Sequence, residues 1–318
     1  MGHLLALEFH SNVLGPSIVL GVAAAGLYGL LAIALVLTFR VSRTVGFVMG
    51  GLALFCCYFY WWLTFDTGKD IFNPVHPVRM GRLAGLIVVI IFGAVIGMIY
   101  GATVTGKRMA NWPRLNLTIY SLAWLVLLAG LNNSVFKAQD QRLPSVFGTK
   151  TFKVLGGVIT MHQLATLLIL TGLVLGLSFV LFRTQTGIYI RAIADDVEAS
   201  KMVGISLNGV GTGVYAFTGA ISALAGALLA TTVGTAIFTV ILIFMRALTM
   251  SVLGGMTSFS LAMVGCLILG IGESSMNAGV FGPVTIGTRE IVIMSVLFAS
   301  ILIINRIRPV KVVEAAGL

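Results

Sequence analysis

Long apolar runs, separated by short segments that carry the charged residues, form the main pattern of this chain. A helix needs roughly 20 consecutive apolar residues to cross a bilayer, and most of the runs are close to that length. The predicted spans are 18–39, a helix within 43–66, 84–104, 115–136, 156–181, 209–230, a helix that ends near 253, 260–271 and 291–304. The pattern predicts an all-α polytopic membrane protein with about 8–10 transmembrane helices, which form one domain over residues 1–318.

Glycine and aromatic positions add detail to this prediction. Gly93, Gly97 and Gly101 recur every four residues, so they lie on one face of the third span and favour close contact with another helix. The aromatic residues at 59–62 are typical of the membrane interface. The stretch 202–245 carries no charge and is too long for one crossing, which predicts two spans with a break between them.

One polar segment, residues 184–207, interrupts the apolar runs. Its apolar residues recur at i, i+3, i+4 and i+7, at Ile190, Ile193, Ala194 and Val197. This spacing predicts a short amphipathic helix, and Gly204 is its predicted end. Two interpretations are open: a solvated connector that stays out of the bilayer, or a helix that docks onto a soluble partner and transmits force.

Composition agrees with a membrane protein. The chain is 58% hydrophobic and 9% charged, whereas a soluble domain carries about 25% charged residues. The net charge of +10 would suggest a nucleic-acid partner in a soluble chain. Here the basic residues lie at the ends of apolar runs, and no basic patch with interleaved aromatics occurs. We therefore expect membrane lipid as the contacting surface and no nucleic acid.

The basic residues also predict an orientation, because Lys and Arg are enriched in cytoplasmic loops. A cytoplasmic location for Arg40, Arg43, the basic residues of 107–114, the polar segment and the basic residues of 306–311 fits nine spans. The N-terminus then lies outside and the C-terminus lies in the cytoplasm. The bias is incomplete, since several other basic residues would be external.

No pattern for catalysis, metal binding or ATP binding stands out. The four histidines are scattered and lack a nearby cluster of cysteines or carboxylates. Gly101, Gly106 and Lys107 have the spacing of a phosphate-binding loop, but Arg108 replaces the hydroxyl residue that would hold magnesium. We expect neither an enzyme nor a cofactor bound by this chain; an intramembrane enzyme or a channel would need a catalytic group or a selectivity ring.

Arg246 and Glu273 each lie between long apolar runs. An ionisable residue in a membrane is costly, so each is a functional candidate. The alternative is that both lie near the ends of spans and extend their charged groups to water. Glu273 is also the plausible carboxylate for an ion-coupled secondary transporter.

Glu198, Ala199 and Ser200 are followed, after three further residues, by Gly204. This spacing resembles the Glu-Ala-Ala, three residues, Gly pattern in the cytoplasmic loop of bacterial ABC-importer permeases, with serine at the second alanine position. Three stretches are similar, more narrowly, to the branched-chain amino acid permease family: 187–205, 245–255 and 267–273.

The resemblance implies the permease subunit of an importer in the bacterial inner membrane. Such a permease assembles with a second related permease, two cytoplasmic ATPase subunits that bind ATP and magnesium, and an external solute-binding protein. Residues 184–207 would be its coupling loop. The residues implied to contact an ATPase are Arg191, Asp195, Glu198, Ala199 and Gly204. Solute would then move inward by alternating access.

The turn at 46–50 departs from the family. Relatives typically carry a polar Asn-Phe-Ala-His-Gly-like turn, whereas this chain has Gly-Phe-Val-Met-Gly. A less polar lining favours a bulkier or more apolar solute, such as an aromatic or hydrophobic carboxylate, over a small amino acid. The resemblance as a whole implies a branched-chain or hydrophobic amino acid or a related carboxylate, with urea, an amide or an aromatic acid as alternatives. Another interpretation is that the turn only packs. The predicted substrate-pathway candidates are Phe47, Met49, Gly50, Arg246 and Glu273.

Overall fold

The structure is a computed structural model. It describes residues 14–64, 80–106, 109, 112–136, 140, 143, 145–148, 150–154, 157–195, 197–256, 258–278, 291, 292, 295, 298 and 299. The helices are α1 (Leu14–Ser42), α2 (Val48–Thr64), α3 (Arg82–Val104), α4 (Arg114–Phe136), α5 (Met161–Arg183), α6 (Gln185–Asp195), α7 (Val197–Met202), α8 (Leu207–Thr232), α9 (Ile237–Leu253) and α10 (Phe259–Asn277). Two short strands are β1 (Thr151–Val154) and β2 (Gly157–Thr160).

Within the described residues, six helices are long and apolar enough to cross a membrane: α1, α3, α4, α5, α8 and α10. The apolar helices α2 and α9 are shorter, with 17 residues each. The prediction of an all-α polytopic membrane protein is confirmed. The uncharged stretch 202–245 does form two helices with a break, where Gly234 has a φ of +99°. The predicted span 291–304 lies largely outside the described residues.

Helix α1 lies at the centre of the bundle and contacts α10, α8, α5 and α9. Its middle, from Leu30 to Leu37, is at most 1% exposed. A helix that is apolar all round is expected to be surrounded by other helices. Gly21 of α1 and Gly270 of α10 lie so close that a Cβ on either would overlap the other helix.

The glycine face predicted on α3 packs against α8. A Cβ on Gly93 would overlap Gly219 and Ala223, and a Cβ on Gly97 would overlap the Tyr215 carbonyl. Small residues let two helix backbones approach closely, so van der Waals packing can hold them without a hydrophobic driving force from water. The predicted close contact is confirmed.

The hairpin β1–β2 corrects the predicted start of the fifth span at 156. The strands pair antiparallel, with Thr151 opposite Thr160 and Val154 opposite Gly157. Helix α5 begins only at Met161, because Thr160 caps it: the Thr160 side chain accepts from the Gln163 N–H, and the Gln163 side chain accepts from the Thr160 N–H.

The aromatic run at 59–62, whose location at the membrane interface stays a prediction, packs partly inside the bundle. Tyr60 is 1% exposed and Trp61 is 5% exposed. Phe59 packs on Phe92 of α3 at a centroid distance of 4.7 Å and stacks on Trp62 at 6.0 Å. These rings fill the contact between α2 and its neighbours, where pairing of aromatic rings adds to the burial of apolar area.

Candidate functional site

The polar segment forms two short helices rather than one. Helix α6 ends at Asp195 and α7 begins at Val197, with Asp196 outside the described residues. The predicted apolar face of α6 is confirmed, since Ile190 is 4% and Ile193 is 1% exposed. Burial of this face fixes α6 to the bundle.

Helix α6 is joined to both α1 and α5. The Arg43 guanidinium, just beyond the end of α1, donates a hydrogen bond to the Ala194 carbonyl. A Cβ on Gly187 would overlap the backbone of Val180 and Leu181, so the start of α6 lies directly against the end of α5. Helix α6 is therefore in direct contact with two helices of the bundle.

Gly204 ends α7 as predicted. Its φ of +85° belongs to the left-handed region that glycine adopts without a Cβ penalty. The Ile205 N–H donates to the Ser200 carbonyl over 3.0 Å, and the Val203 N–H donates to the Ala199 carbonyl over 3.3 Å. The bond from Ile205 is the 6→1 bond of a Schellman motif.

The outer side of α6 and α7 presents apolar side chains. Met202 is 87% exposed, Val203 is 81% exposed and Ile188 is 54% exposed. Beside them lies an open cavity of about 700 Å³. Its lining includes Ile188, Tyr189, Ala199, Val203, Gly204 and Ser206. Contiguous exposed apolar surface with a polar rim is typical of an interaction site.

The structure places the five predicted coupling residues in this region to different extents. Ala199 and Gly204 line the cavity. Arg191 is half-buried, with its guanidinium 5.5 Å from the centre of the Phe182 ring. Asp195 ends α6 and Glu198 lies in α7, and their side chains lie outside the described set.

Arg246 and Glu273, which the sequence offered as separate candidates, form a buried ion pair. Arg246 Nη1 lies 2.9 Å from Glu273 Oε1, and the side chains are 7% and 9% exposed. The Tyr28 hydroxyl donates to Glu273 Oε2 over 2.6 Å and accepts from Arg246 Nη1 over 3.3 Å. Helices α9, α10 and α1 are thereby linked through one charged cluster.

This burial contradicts the interpretation in which both side chains extend to water, whereas a functional role of the pair stays a prediction. Arg246 lies near the middle of α9, and neither charged group extends to the surface of the bundle. Each charge instead meets its opposite, which offsets the cost of holding it away from water. Tyr28 was missed, because its hydroxyl is recognisable as part of the cluster only when three helices are placed together.

The turn at 46–50 packs inside the bundle. Met49 is fully buried, and a Cβ on Gly50 would overlap the Phe244 ring of α9. Phe47 is half-buried and meets Phe244 edge-on, with 6.4 Å between ring centroids. The contacts are those of packing residues, and a role of Phe47, Met49 and Gly50 in the substrate pathway stays a prediction.

Two further cavities are apolar. One, of about 890 Å³, lies between α1, α5, α6 and α8, and Leu37, Leu173, Gly176, Gly213 and Phe217 contribute to its walls. The other, of about 220 Å³, lies between α9 and α10, beside the ion pair. Met250, Leu253, Leu269, Gly272, Glu273 and Met276 line it.

Comparison with known proteins identifies the family. The family model of the permease component of the branched-chain amino acid transport system matches residues 17–307. The chain belongs to this permease family. The resemblance carried by the polar segment and the two later stretches is thereby confirmed. The match also includes α1 to α5, where the sequence resemblance was less specific.

Individual relatives are more distant. The permease is 31% identical over 163 residues to the high-affinity branched-chain amino acid permease protein BraD of Pseudomonas aeruginosa. These aligned residues cover 48% of this chain and about half (52%) of that relative. It is 27% identical over 294 residues to the fructose import permease protein FrcC of Rhizobium meliloti, covering 90% of this chain and 72% of that protein. It is 25% identical over 284 residues to the probable branched-chain amino acid permease LivH of Methanocaldococcus jannaschii, covering 86% and 85%. No solved structure matches this permease.

Family membership makes this chain a multi-pass permease component of an ABC transport system. Membrane subunits of such systems are not themselves enzymes, and they work in general with ATPase and binding-protein partners. Within the part of the chain that the structure describes, the apolar surface of α6 and α7 and the ion pair between α9 and α10 are the candidate features for this function.

Proposed function

We propose that this permease is the transmembrane subunit of an ABC importer that moves an amino acid with a hydrophobic side chain inward by alternating access. Separate ATPase subunits hold ATP and magnesium and supply the energy. The observation that carries the proposal is the exposed apolar surface of α6 and α7 on a segment that is fixed to α1 and α5.

The proposed coupling follows from that arrangement. An ATPase surface that covers Met202 and Val203 would remove two apolar side chains from water, which favours association. Ile190 and Ile193 are buried on the opposite face of α6, so a movement of the ATPase is passed into the bundle. Arg191, Asp195, Glu198, Ala199 and Gly204 are the proposed coupling residues.

The solute class rests on the relatives and on the cavities. Relatives named for branched-chain amino acids and one named for fructose are all distant. The cavities within the bundle are lined mainly by apolar side chains. An apolar side chain gains from such a lining, whereas a sugar would leave several hydroxyl groups without partners.

The proposed assembly contains a second related permease, two ATPase subunits on the side of α6 and α7, and a solute-binding protein on the other side. The bilayer is the bacterial inner membrane, with the C-terminus of the chain in the cytoplasm. The polar segment then faces the cytoplasm, where ATP is available.

An ion-coupled secondary transporter is the alternative that Glu273 favours. Such a transporter needs a carboxylate that exchanges a cation during the cycle. Glu273 is already compensated by the Arg246 guanidinium at 2.9 Å, which lowers its need for a second cation. This pairing favours the importer.

Purification of the tagged permease from its native membrane tests the proposal. We expect an ATPase with its nucleotide-binding motifs, and a second permease, to be recovered in stoichiometric amounts and identified by mass spectrometry. Recovery of the chain alone, with solute transport that needs no ATP, would overturn the proposal in favour of the secondary transporter.

A further inference from the structure

One member of the buried ion pair, Glu273, lies in the wall of a cavity rather than within solid packing. Glu273 lines the 220 Å³ space between α9 and α10. On α10, Leu269, Gly272 and Met276 lie on the same side as Glu273, at i, i+3 and i+7 relative to Leu269. On α9, Met250 lies one turn after Arg246 and lines the same space. The Glu273 carboxylate therefore borders an apolar cavity, and the Arg246 guanidinium lies 2.9 Å from that carboxylate.

The cavity is partly open, since Ile268 in its wall is 66% exposed, and it is larger than a gap between packed side chains. A water molecule needs roughly 10–15 Å³ of such volume together with two to four polar partners. This space has about 220 Å³, and Glu273 is the one charged side chain among its described lining residues. Water is therefore a poor occupant, and an apolar group of several carbon atoms is a suitable one.

We propose that the Arg246–Glu273 pair and this cavity form the solute-binding site of the permease. The guanidinium of Arg246 takes the α-carboxylate, the carboxylate of Glu273 takes the α-ammonium group, and the cavity between α9 and α10 takes the apolar side chain. The inference rests on the proposed function, and it names the residues and the solute chemistry of that function.

The charge pattern of an α-amino acid matches this site. Its carboxylate and ammonium groups are attached to one carbon atom, so they can meet two protein charges that are themselves in contact. When the solute enters, Arg246 exchanges Glu273 for the solute carboxylate, and Glu273 exchanges Arg246 for the ammonium group. Every buried charge keeps an opposite partner, which avoids the penalty of an unpaired ion. Tyr28, which contacts both residues, holds them in place during the exchange.

Other occupants fit less well. A sugar has no charges to exchange with the pair, and its hydroxyl groups would face apolar walls. A lipid acyl chain would pack against the apolar walls, but it has no charged group that could pair with Arg246 or Glu273. Both occupants are outcomes of the test.

Gly272 provides a variant that adds volume to the cavity at a position with room for a Cβ atom. A Cβ at Gly272 would meet nothing within 4 Å, and Gly272 lines the cavity. Gly272→Val therefore adds three carbon atoms to the space intended for the solute side chain. Gly130→Val is the matched control, because a Cβ at Gly130 on α4 also meets nothing within 4 Å and Gly130 does not line this cavity.

The measurement is the Kd of the purified permease–ATPase complex for labelled leucine and alanine, without the external binding protein. We expect Gly272→Val to weaken leucine binding at least tenfold and alanine binding less than threefold, and Gly130→Val to change neither. Equal affinities in Gly272→Val and the wild type would overturn the proposal. An equal loss for leucine and alanine would also overturn it, because the cavity would then not hold the side chain.

Competition on the wild-type complex tests the two charges without any substitution. Isocaproate lacks the ammonium group of leucine, and isoamylamine lacks its carboxylate. We expect each to displace leucine at least tenfold more weakly than unlabelled leucine does. If either competes as well as leucine, or if fructose or a phospholipid does, the proposal is wrong. A complex that transports an amino acid with ATP but shows none of this discrimination would overturn the inference and leave the proposed function intact.

Discussion

At the scale of single residues, Arg246 and Glu273 explain how an apolar bundle tolerates charges in its interior. Each charge has lost its hydration, and contact at 2.9 Å with the other, supported by Tyr28, offsets that loss. The cost of removing one partner is therefore larger than the net contribution of the pair to stability.

This asymmetry gives a prediction for a double-mutant cycle. We expect Glu273→Gln or Arg246→Gln alone to destabilise the folded permease by about 3–5 kcal/mol, because a buried charge is left unpaired. The double variant Arg246→Met with Glu273→Leu should be less destabilised than either single variant. Thermal unfolding of the purified proteins in one detergent measures the difference.

A double variant whose destabilisation equals the sum of the single ones would contradict this account, since independent sites add. Tyr28→Phe is the control for the bridging hydroxyl. It retains the ring and should cost about 1–3 kcal/mol, the usual penalty for a buried group that loses its partner.

The residue scale also shows what the sequence could supply. Charges bounded by apolar runs were recognisable at 246 and 273, because a charge in a span is conspicuous. Their pairing was not, since 27 positions and two different helices separate them. The turn at 46–50 was recognised as a departure from the family, but the burial of Met49 and the close approach of Gly50 to Phe244 depend on how α2 and α9 pack together.

At the scale of elements, α6 and α7 have an anchored face and an open face. Ile190 and Ile193 are packed against the bundle, whereas Met202 and Val203 are almost fully accessible. Surface positions of this kind usually change folding stability by no more than about 0.5 kcal/mol when substituted. They are therefore suitable for separating association from folding.

We predict that the double variant Met202→Asp with Val203→Asp loses the ATPase subunits. Two carboxylates would have to be buried without partners in the interface, which is costly, so recovery of ATPase with the tagged permease should fall at least tenfold. The matched control is Phe152→Asp with Val158→Asp, because these apolar residues are each 45% exposed on the hairpin at the opposite end of α5. Undiminished recovery with the first variant would show that α6 and α7 are not the docking surface.

Most elements followed from periodicity, and the exceptions have physical reasons. The glycine face of α3 was predicted because spacing by four residues fixes a face on any helix. The hairpin β1–β2 was missed because each strand has four residues, too few for alternation to be distinguished from a loop. The Thr160–Gln163 capping box was visible in the sequence and would have placed the start of α5 correctly. The polar segment forms two helices instead of the one predicted. The apolar spacing from Ile190 to Val197 indicates a helical face, but it cannot show a break between Asp195 and Val197.

At the scale of the whole molecule, the coupling surface and the ion pair lie in different parts of one bundle joined by α1. Arg43, at the end of α1, bonds to α6, and Tyr28, within α1, bonds to Glu273. In the proposed coupling, a movement imposed on α6 by an ATPase would reach the charged cluster through a single helix. In this account ATP-driven motion at one end changes access to the cavity beside Glu273.

Uptake of labelled leucine into vesicles that contain the purified complex tests this account most directly. The vesicles are supplied with binding protein on the solute side and with ATP on the side that α6 faces. The account predicts accumulation only with hydrolysable ATP, and none with a proton or sodium gradient alone. Accumulation driven by such a gradient without ATP would contradict it and would identify Glu273 as the coupling carboxylate of a secondary transporter.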